Sequence, residues 1–239
     1  MHPNKTFKML RMVGGSSVGE NGCLTLGAMV DYLQDCSTFH LDRLPDSKAY
    51  LKEHGLGMYL VSRQVDIRRM PKLGEELTVR SWIFDYNRSF ENRNTVIYDK
   101  YDRPCICSYA IDVLVDLMTG KASMLPEPLI SLPTGHKFEM EYLPRRINLP
   151  SENFEDMPTV AVRRYHIDYN HHVNNARYVS IASEFLPEGF EPKGLRIEYK
   201  KPARYGCIFY PRIAACDGSF FILLCDESQD IYAIIEFLV

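Results

Sequence analysis

Apolar residues follow two kinds of spacing along this chain. They recur every three or four residues from 26 to 33 and again from 178 to 186, which predicts two helices. Other runs are alternating or mostly apolar, rich in β-branched and aromatic residues, and separated by Gly, Pro and Asp turns, as is typical of strands. The strands predicted after the first helix cover 58–67, 76–85, 92–99 and 105–116.

Two pairs of segments resemble each other in the same order along the chain. Residues 66–74 align without gaps with residues 198–206, an offset of 132, and five of the nine columns keep the residue or its charge. Residues 21–25 align more weakly with 170–174, an offset of 149, and each is followed by a helical pattern. The two offsets differ because the first copy is longer in the segment after its helix. Two matches in the same order indicate an internal duplication.

Each repeat orders its elements as a short strand, one long helix and several strands. One helix against an antiparallel sheet belongs to the α+β class. Two such units placed side by side can join their sheets and so cover two edges that would otherwise be exposed. The Pro-rich stretch around 134–158 is predicted to be the linker between a first unit over 1–133 and a second over 159–239.

Composition and charge narrow the class of protein. A net charge of −3 gives no positive field that would favour nucleic acid. No signal-peptide pattern is found in the first fifteen residues, and no apolar run is long enough to cross a membrane. Seven scattered cysteines are unlike a disulfide framework and indicate free thiols, which predicts a cytoplasmic location.

The string from 168 to 175, Asp-Tyr-Asn-His-His-Val-Asn-Asn, carries the most chemistry. Asp168, Asn170 and His172 are spaced by two, so in an extended segment they would project to one side. Asn174 and Asn175 are suited to cap the helix that follows. The free N–H groups at a helix start favour negative charge, which predicts a site for a developing oxyanion.

This string resembles the motif of the acyl-ACP thioesterases, Asp-x-Asn-x-His-Val-Asn-Asn, and fills every defined position of it. The resemblance extends to residues 21–27, 79–82 and 125–127, and it covers most of the chain. It implies two tandem hot-dog domains, each a long helix wrapped by an antiparallel sheet, with the motif in the C-terminal one. This expectation agrees with the internal repeat, which was found without it.

The resemblance also implies an activity, the hydrolysis of acyl-ACP to free fatty acid and holo-ACP. Asp168, Asn170 and His172 would be catalytic, and Val173, Asn174 and Asn175 would contact the substrate. The partner would be acyl carrier protein bearing an acyl-phosphopantetheine. The chemistry implies no cofactor and no metal, and the fused pair is compatible with a monomer or a homodimer.

One position departs from the family pattern. The family carries a Glu-Cys or Glu-x pair where this chain has Pro202 and Ala203. A proline removes a backbone donor, which predicts a kinked strand or an edge strand there. Two other functions therefore stay open: hydrolysis of acyl-CoA, and binding of acyl groups without hydrolysis. The first-unit equivalents of Asp168 and His172 are Gly19 and Cys23, so we expect the first unit to line the acyl pocket without reacting.

Overall fold

The computed structural model describes residues 6–131, 134–151 and 154–239. The helices are α1 Leu26–Asp42, α2 Pro45–Glu53, α3 Glu127–Ile130 and α4 Asn175–Ser183. The strands of the first half are β1 Phe7–Met12, β2 Leu56–Ile67, β3 Glu76–Asn87, β4 Phe90–Tyr98 and β5 Pro104–Asp116. Those that follow are β6 Glu155–Asp156, β7 Val160–Ala161, β8 Gly194–Tyr199, β9 Ile208–Cys216, β10 Ser219–Cys225 and β11 Ile231–Leu238.

The strands form one antiparallel sheet in which the two halves mirror each other. The order is β1-β3-β4-β5-β2 followed by β8-β11-β10-β9, with β6 and β7 both pairing with β9. β2 and β8 are hydrogen-bonded to each other, Arg63 opposite Ile197, so the sheets of the two units join at the centre. The predicted α+β class and the joined sheets are confirmed, because no edge is left between the units.

The duplication is visible in single hydrogen bonds. Leu24 N–H donates to Pro71 O at 2.8 Å, and Val173 N–H donates to Ala203 O at 2.8 Å. These pairs are related by the two offsets found in the sequence. The short 3-10 turns Gly15–Ser17 and Arg164–His166 are related in the same way. The two units therefore share one backbone design from the turn before the helix to the strand after it.

The long helix α1 and the shorter α4 lie on the inner face of the sheet. The Thr25 side chain accepts from Ala28 N–H at 3.2 Å and begins α1. The periodic residues Met29, Val30 and Leu33 are fully buried. A side chain at Gly27 would clash with Ser180, so glycine permits the close approach of α1 and α4. None of the described helices is long and apolar enough to cross a membrane.

The segment after α1, expected only as extra length, contains the helix α2. Its polar residues Asp46, Ser47 and Lys48 gave no apolar spacing that would have predicted it. Its Leu51 packs on Leu114 and Leu129. The insertion therefore adds a helix of its own to the first unit.

The predicted linker lies against the outer face of the sheet in its described part. Gln64 Nε2 donates to Glu141 O at 2.9 Å, and Phe138 N–H donates to Asn94 Oδ1 at 3.1 Å. Trp82 Nε1 donates to His136 O at 2.7 Å. The predicted domain limit at 133 lies outside the described residues, and β6, within the predicted linker, pairs with β9.

Candidate active site

The motif from Asp168 to His172 forms a tight turn. Asp168 N–H donates to His172 O at 2.8 Å, and His171 N–H donates to Asp168 O at 3.1 Å. His171 adopts the left-handed region, with φ 62°. The expectation of an extended segment is wrong, because a polar stretch of Asp, Asn and His closes more readily into a turn than into a strand.

Asp168 stabilises this turn with one of its two carboxylate oxygens. Asp168 Oδ1 accepts from Asn170 N–H at 2.8 Å and from His172 N–H at 3.4 Å. No hydrogen bond to Oδ2 is found among the described residues, so the second oxygen is available to water or substrate. Asp168 thus serves as a turn residue and lines the cavity at the same time.

The start of α4 is partly capped. Asn174 Oδ1 accepts from Ala176 N–H at 2.9 Å, which confirms Asn174 as the N-cap. Arg177 N–H donates to Asn174 O at 2.9 Å. Of the first amides predicted to face an oxyanion, only the N–H of Asn175 has no hydrogen-bond partner in the described part of the chain. Asn175 is the first residue of the helix, so this N–H lies at the positive end of its dipole.

His172 has an imidazole nitrogen that no protein group satisfies. Its Nε2 is buried and finds no partner among the described residues. Burial lowers the pKa of His172, Arg204 lowers it further, and Asp168 opposes them. The ring is therefore neutral at physiological pH, as a proton acceptor must be.

These side chains line one cavity of about 860 Å³. The second unit contributes Asp168, Asn170, His172, Val173, Asn174 and Asn175. The first unit contributes residues of α1, β2 and β5, including Phe39, Met58, Leu60, Val113 and Val115. The site residues predicted from the sequence thus line one cavity, and the first unit lines it too; that this cavity takes the acyl chain stays a prediction. Gly19, Asn21 and Cys23 are not among its lining residues.

One sequence expectation near the cavity needs correction. β8 ends at Tyr199, before Pro202, and lies between β2 and β11 at the centre of the sheet. Pro202 is therefore neither in a strand nor at an edge, although it does line the cavity. Val173, predicted to contact the substrate, is 3% exposed and packs in the hydrophobic core, and it also lines the cavity, so its contact with the substrate stays a prediction.

Sequence reasoning missed three side chains that position the site. Gln34 Nε2, from α1, donates to Asn174 Oδ1 at 3.0 Å and so ties the cap to the first unit. Ala203 N–H donates to Tyr178 Oη at 2.9 Å, and Tyr199 Oη donates to Asn175 O at 3.2 Å. Tyrosines at helix and strand spacing are also typical of core residues, so no local signal distinguished them.

Three carboxylates line the cavity among the described residues: Asp35, Asp112 and Asp168. Asp35 is paired with Arg11 at 2.6 Å, and Asp112 lies on β5 of the first unit. Asp168 is therefore the carboxylate at the start of α4. Within the described ranges, no group of His, Cys, Asp and Glu side chains has the arrangement of a metal site.

The sheet order, the two wrapped helices and a cavity between the units define a tandem hot-dog protein. The family model for the N-terminal domain of acyl-ACP thioesterases matches residues 4–132, and that for the C-terminal domain matches 151–212. The chain therefore belongs to the acyl-ACP thioesterase family, whose members are thioester hydrolases. A sequence search of curated proteins found no significant match.

Solved structures show the same fold. An acyl-ACP thioesterase from Bacteroides thetaiotaomicron VPI-5482 is 20% identical over 98% of each chain, with a TM-score of 0.89. The 12:0-ACP thioesterase from Umbellularia californica is 16% identical, covers 98% of this chain and 97% of its own, and has a TM-score of 0.87. At these identities the likeness extends to the fold alone.

Proposed function

We propose that this protein hydrolyses acyl-ACP to free fatty acid and holo-ACP. The observation that carries the proposal is the cavity lined by Asp168, Asn170, His172 and Asn175, the first residue of α4, whose N–H has no hydrogen-bond partner in the described part of the chain. A thioester held at the start of α4 lies in a site that offers a carboxylate, an imidazole and an oxyanion donor. Family membership supports thioester hydrolysis as the reaction.

The proposed mechanism uses water as the nucleophile. Asp168 Oδ2 or the imidazole of His172 takes the proton of the attacking water, and the new C–O bond converts the carbonyl into an oxyanion. The Asn175 N–H and the Asn170 side-chain amide stabilise that oxyanion. The C–S bond then breaks, and the thiolate leaves as the phosphopantetheine thiol by taking the proton that the base removed from the water.

Cations at the mouth support an acidic carrier protein as the partner. Lys200, Lys201 and Arg204 all line the cavity. Lys200 pairs with Glu198 and Lys201 with Asp226 at 2.5 Å each, whereas no ion pair of Arg204 is found in the described part of the chain. Arg204 is therefore the best placed of the three to meet an acidic surface. The free thiols of all seven cysteines favour a reducing compartment, so we extend the proposal to the cytoplasm.

Pro202 supports one competing function, the binding of acyl groups without turnover. It lies in the cavity wall and replaces the carboxylate that the family pattern places there, so fewer groups hold the water. Trapping of acyl-ACP with no release of fatty acid would favour this function over hydrolysis.

The direct test is turnover of the same acyl group on two carriers. Purified protein is expected to release free fatty acid from acyl-ACP with a higher kcat/KM than from acyl-CoA. An equal or higher kcat/KM for acyl-CoA would identify the protein as an acyl-CoA thioesterase. No release from either one would end the hydrolytic proposal.

Two variants of Asp168 separate its roles. Asp168→Asn keeps an oxygen that accepts from the two turn amides and removes the charge, whereas Asp168→Ala removes both. If Asp168 acts as the base, both variants lose activity. Full activity in Asp168→Asn would restrict the residue to holding the turn.

A further inference from the structure

The interior of the first unit holds a layer of charged and hydroxyl side chains between α1 and the sheet. The layer includes Arg63, Ser81, Glu91, Arg93, Thr95 and Ser108, each no more than 7% exposed. A plain hydrocarbon tail gains nothing from such groups, because buried polar atoms need hydrogen-bond partners. Each polar group of the layer therefore needs a hydrogen-bond partner, either within the protein or in a ligand.

Arg93 is satisfied within the protein. It donates to Glu91 Oε1 from Nε at 3.0 Å and from Nη2 at 2.6 Å, and its Nη1 donates to Ser81 Oγ at 3.1 Å. This buried pair is neutral overall and lies outside the cavity lining. It needs no ligand.

Arg63 is different, because most of its donors lack partners. Its Nη1 donates to Ser108 Oγ at 3.0 Å, while its Nε is buried with none. Neither an ion pair of this guanidinium nor a hydrogen bond of its Nη2 is found among the described residues. Arg63 is 3% exposed and lines the cavity, so a ligand in the cavity lies beside a nearly buried charge. Burial lowers its pKa, as expected of a charge taken from water.

An acceptor faces the same space. Asp112 lines the cavity and lies two residues from Ala110, the partner of Arg63 across β2 and β5. Burial and Glu91 raise the pKa of Asp112 to about 6, while Arg93 and Arg63 oppose that rise. The oxygens of this carboxyl group can accept a hydrogen bond from a ligand. A group between the two meets a donor on one side and an acceptor on the other.

The fold itself does not require a charge at this position. The offset of 132 places Leu195 of β8 where the first unit has Arg63 of β2, and Leu195 is fully buried in the core. The same strand position is thus apolar in one unit and cationic in the other. The cation lies in the unit whose helix and strands line the cavity, which associates it with the ligand.

We propose that the acyl chain taken by this enzyme carries a hydroxyl group, which accepts a hydrogen bond from Arg63 and donates one to Asp112. This rests on the proposed hydrolysis and names its substrate class, hydroxyacyl thioesters. A hydroxyl satisfies both partners. A carboxylate would add a negative charge beside Asp112, and an unsubstituted chain would leave the guanidinium donors unpaired.

The hydroxyl belongs near the thioester end of the chain. Arg63 is a diagonal neighbour of Tyr199 across β2 and β8, a relation that places such residues roughly 7–8 Å apart. Tyr199 in turn donates to Asn175 O at the start of α4. One tyrosine side chain therefore separates the guanidinium from the proposed oxyanion site.

The test compares carrier protein loaded with three acyl chains of equal length: unsubstituted, 3-hydroxy and terminally hydroxylated. The full chain is expected to hydrolyse the 3-hydroxyacyl form with a kcat/KM about tenfold or more above the unsubstituted one, the ratio typical of one hydrogen bond to a charged donor. An equal or lower value for both hydroxylated chains would overturn the proposal. Preference for the terminal hydroxyl alone would overturn its placement near the thioester.

Variants identify the residues responsible. Arg63→Leu, which installs the residue of the second unit, is expected to bring the hydroxyacyl-to-acyl ratio close to one. Arg63→Lys keeps the charge without the planar set of donors and is expected to give an intermediate ratio. A ratio unchanged in both variants would contradict the assignment. If Arg63→Leu does not fold, the hydroxyacyl-to-acyl ratios of kcat/KM for the wild type and for Arg63→Lys still test the proposal.

Binding measurements separate this inference from the hydrolytic proposal. Calorimetry with free 3-hydroxy fatty acid and the unsubstituted acid of equal length needs no turnover. Absence of all hydrolysis, together with tighter binding of the hydroxy acid, would end the proposed reaction and support the site. Hydrolysis of unsubstituted chains, with no preference for a hydroxyl group in turnover or binding, would support the proposed reaction and end the proposed hydroxyl site.

Discussion

The turn before α1 and the turn before α4 follow the same backbone path and carry different chemistry. Gly22, with φ 70°, and His171, with φ 62°, occupy the same position in the two turns. Gly19 N–H donates to Cys23 O at 3.0 Å, as Asp168 N–H does to His172 O at 2.8 Å. The backbone was kept in both copies, whereas the acid and the imidazole are found in one. Each residue of the candidate site therefore has a natural control in the other unit.

The largest effect is expected for His172→Ala, with Cys23→Ala as its control. Loss of a general acid–base group typically lowers the rate by about 10²–10⁴-fold. Cys23 does not line the cavity, so its variant is expected to stay within about twofold of wild type. Steady-state release of fatty acid from acyl-ACP measures both. Comparable losses in the two variants would show that the turns matter only for folding.

A somewhat smaller effect is expected for Asn170→Ala, compared with Asn21→Ala. Removal of one oxyanion donor typically costs about 10²–10³-fold in kcat. Asn21 Oδ1 accepts from Cys23 N–H at 2.9 Å, so its variant should lose roughly 0.5–1.5 kcal/mol of unfolding free energy and keep its activity. Denaturant unfolding and turnover, measured on both, distinguish the two roles. An Asn170→Ala enzyme with most of the wild-type kcat/KM would remove Asn170 from the mechanism.

The pH dependence of turnover tests the neutral imidazole. Burial and Arg204 lower the pKa of His172 below its ordinary 6.5, so its base form persists below that pH. As pH falls through the lowered pKa, kcat/KM is expected to drop about tenfold per unit. Cys23, the equivalent residue of the first unit, is not expected to affect this fall of kcat/KM at low pH. An acidic limb centred above pH 6.5 would indicate a charged imidazole or another base.

The smallest effect is expected at the mouth, for Arg204→Ala against Lys72→Ala. The two positions are related by the offset of 132, and Arg204 lines the cavity whereas Lys72 does not. The KM for acyl-ACP should rise roughly two- to fivefold in the first variant and stay unchanged in the second. Measurement at pH 8 keeps His172 neutral in both. If the wild-type KM is insensitive to salt, docking is not electrostatic.

Much of the fold was predictable from the sequence, because apolar periodicity survives in the strands and in the long helix. The structure places β2 to β5 within about two residues of the predicted runs. The offset of 132 was recovered from five matched columns and the offset of 149 from a weaker match, and both reappear in the hydrogen bonds. The missed helix α2 has a mostly polar sequence and so carries no periodic signal.

The site was only partly predictable. Residue types in the motif indicated the candidate side chains and the cap at Asn174, but not that Asp168 accepts hydrogen bonds from two amides of its own turn. The position of Arg63 on the cavity could not be predicted from the sequence for a further reason. A β-bulge between Leu60 and Ser62 shifts the register, so alternation alone does not assign Arg63 to a face.

The connection between the units also has a mechanical consequence. Side chains of Gln64, Asn94 and Arg196, from both halves, hydrogen-bond its backbone along the outer face. Such a segment is not a tether whose length can drift freely during evolution, because each added residue would displace donors from acceptors. It braces both halves of the sheet, and a change in its length would disturb hydrogen bonds made to each of them.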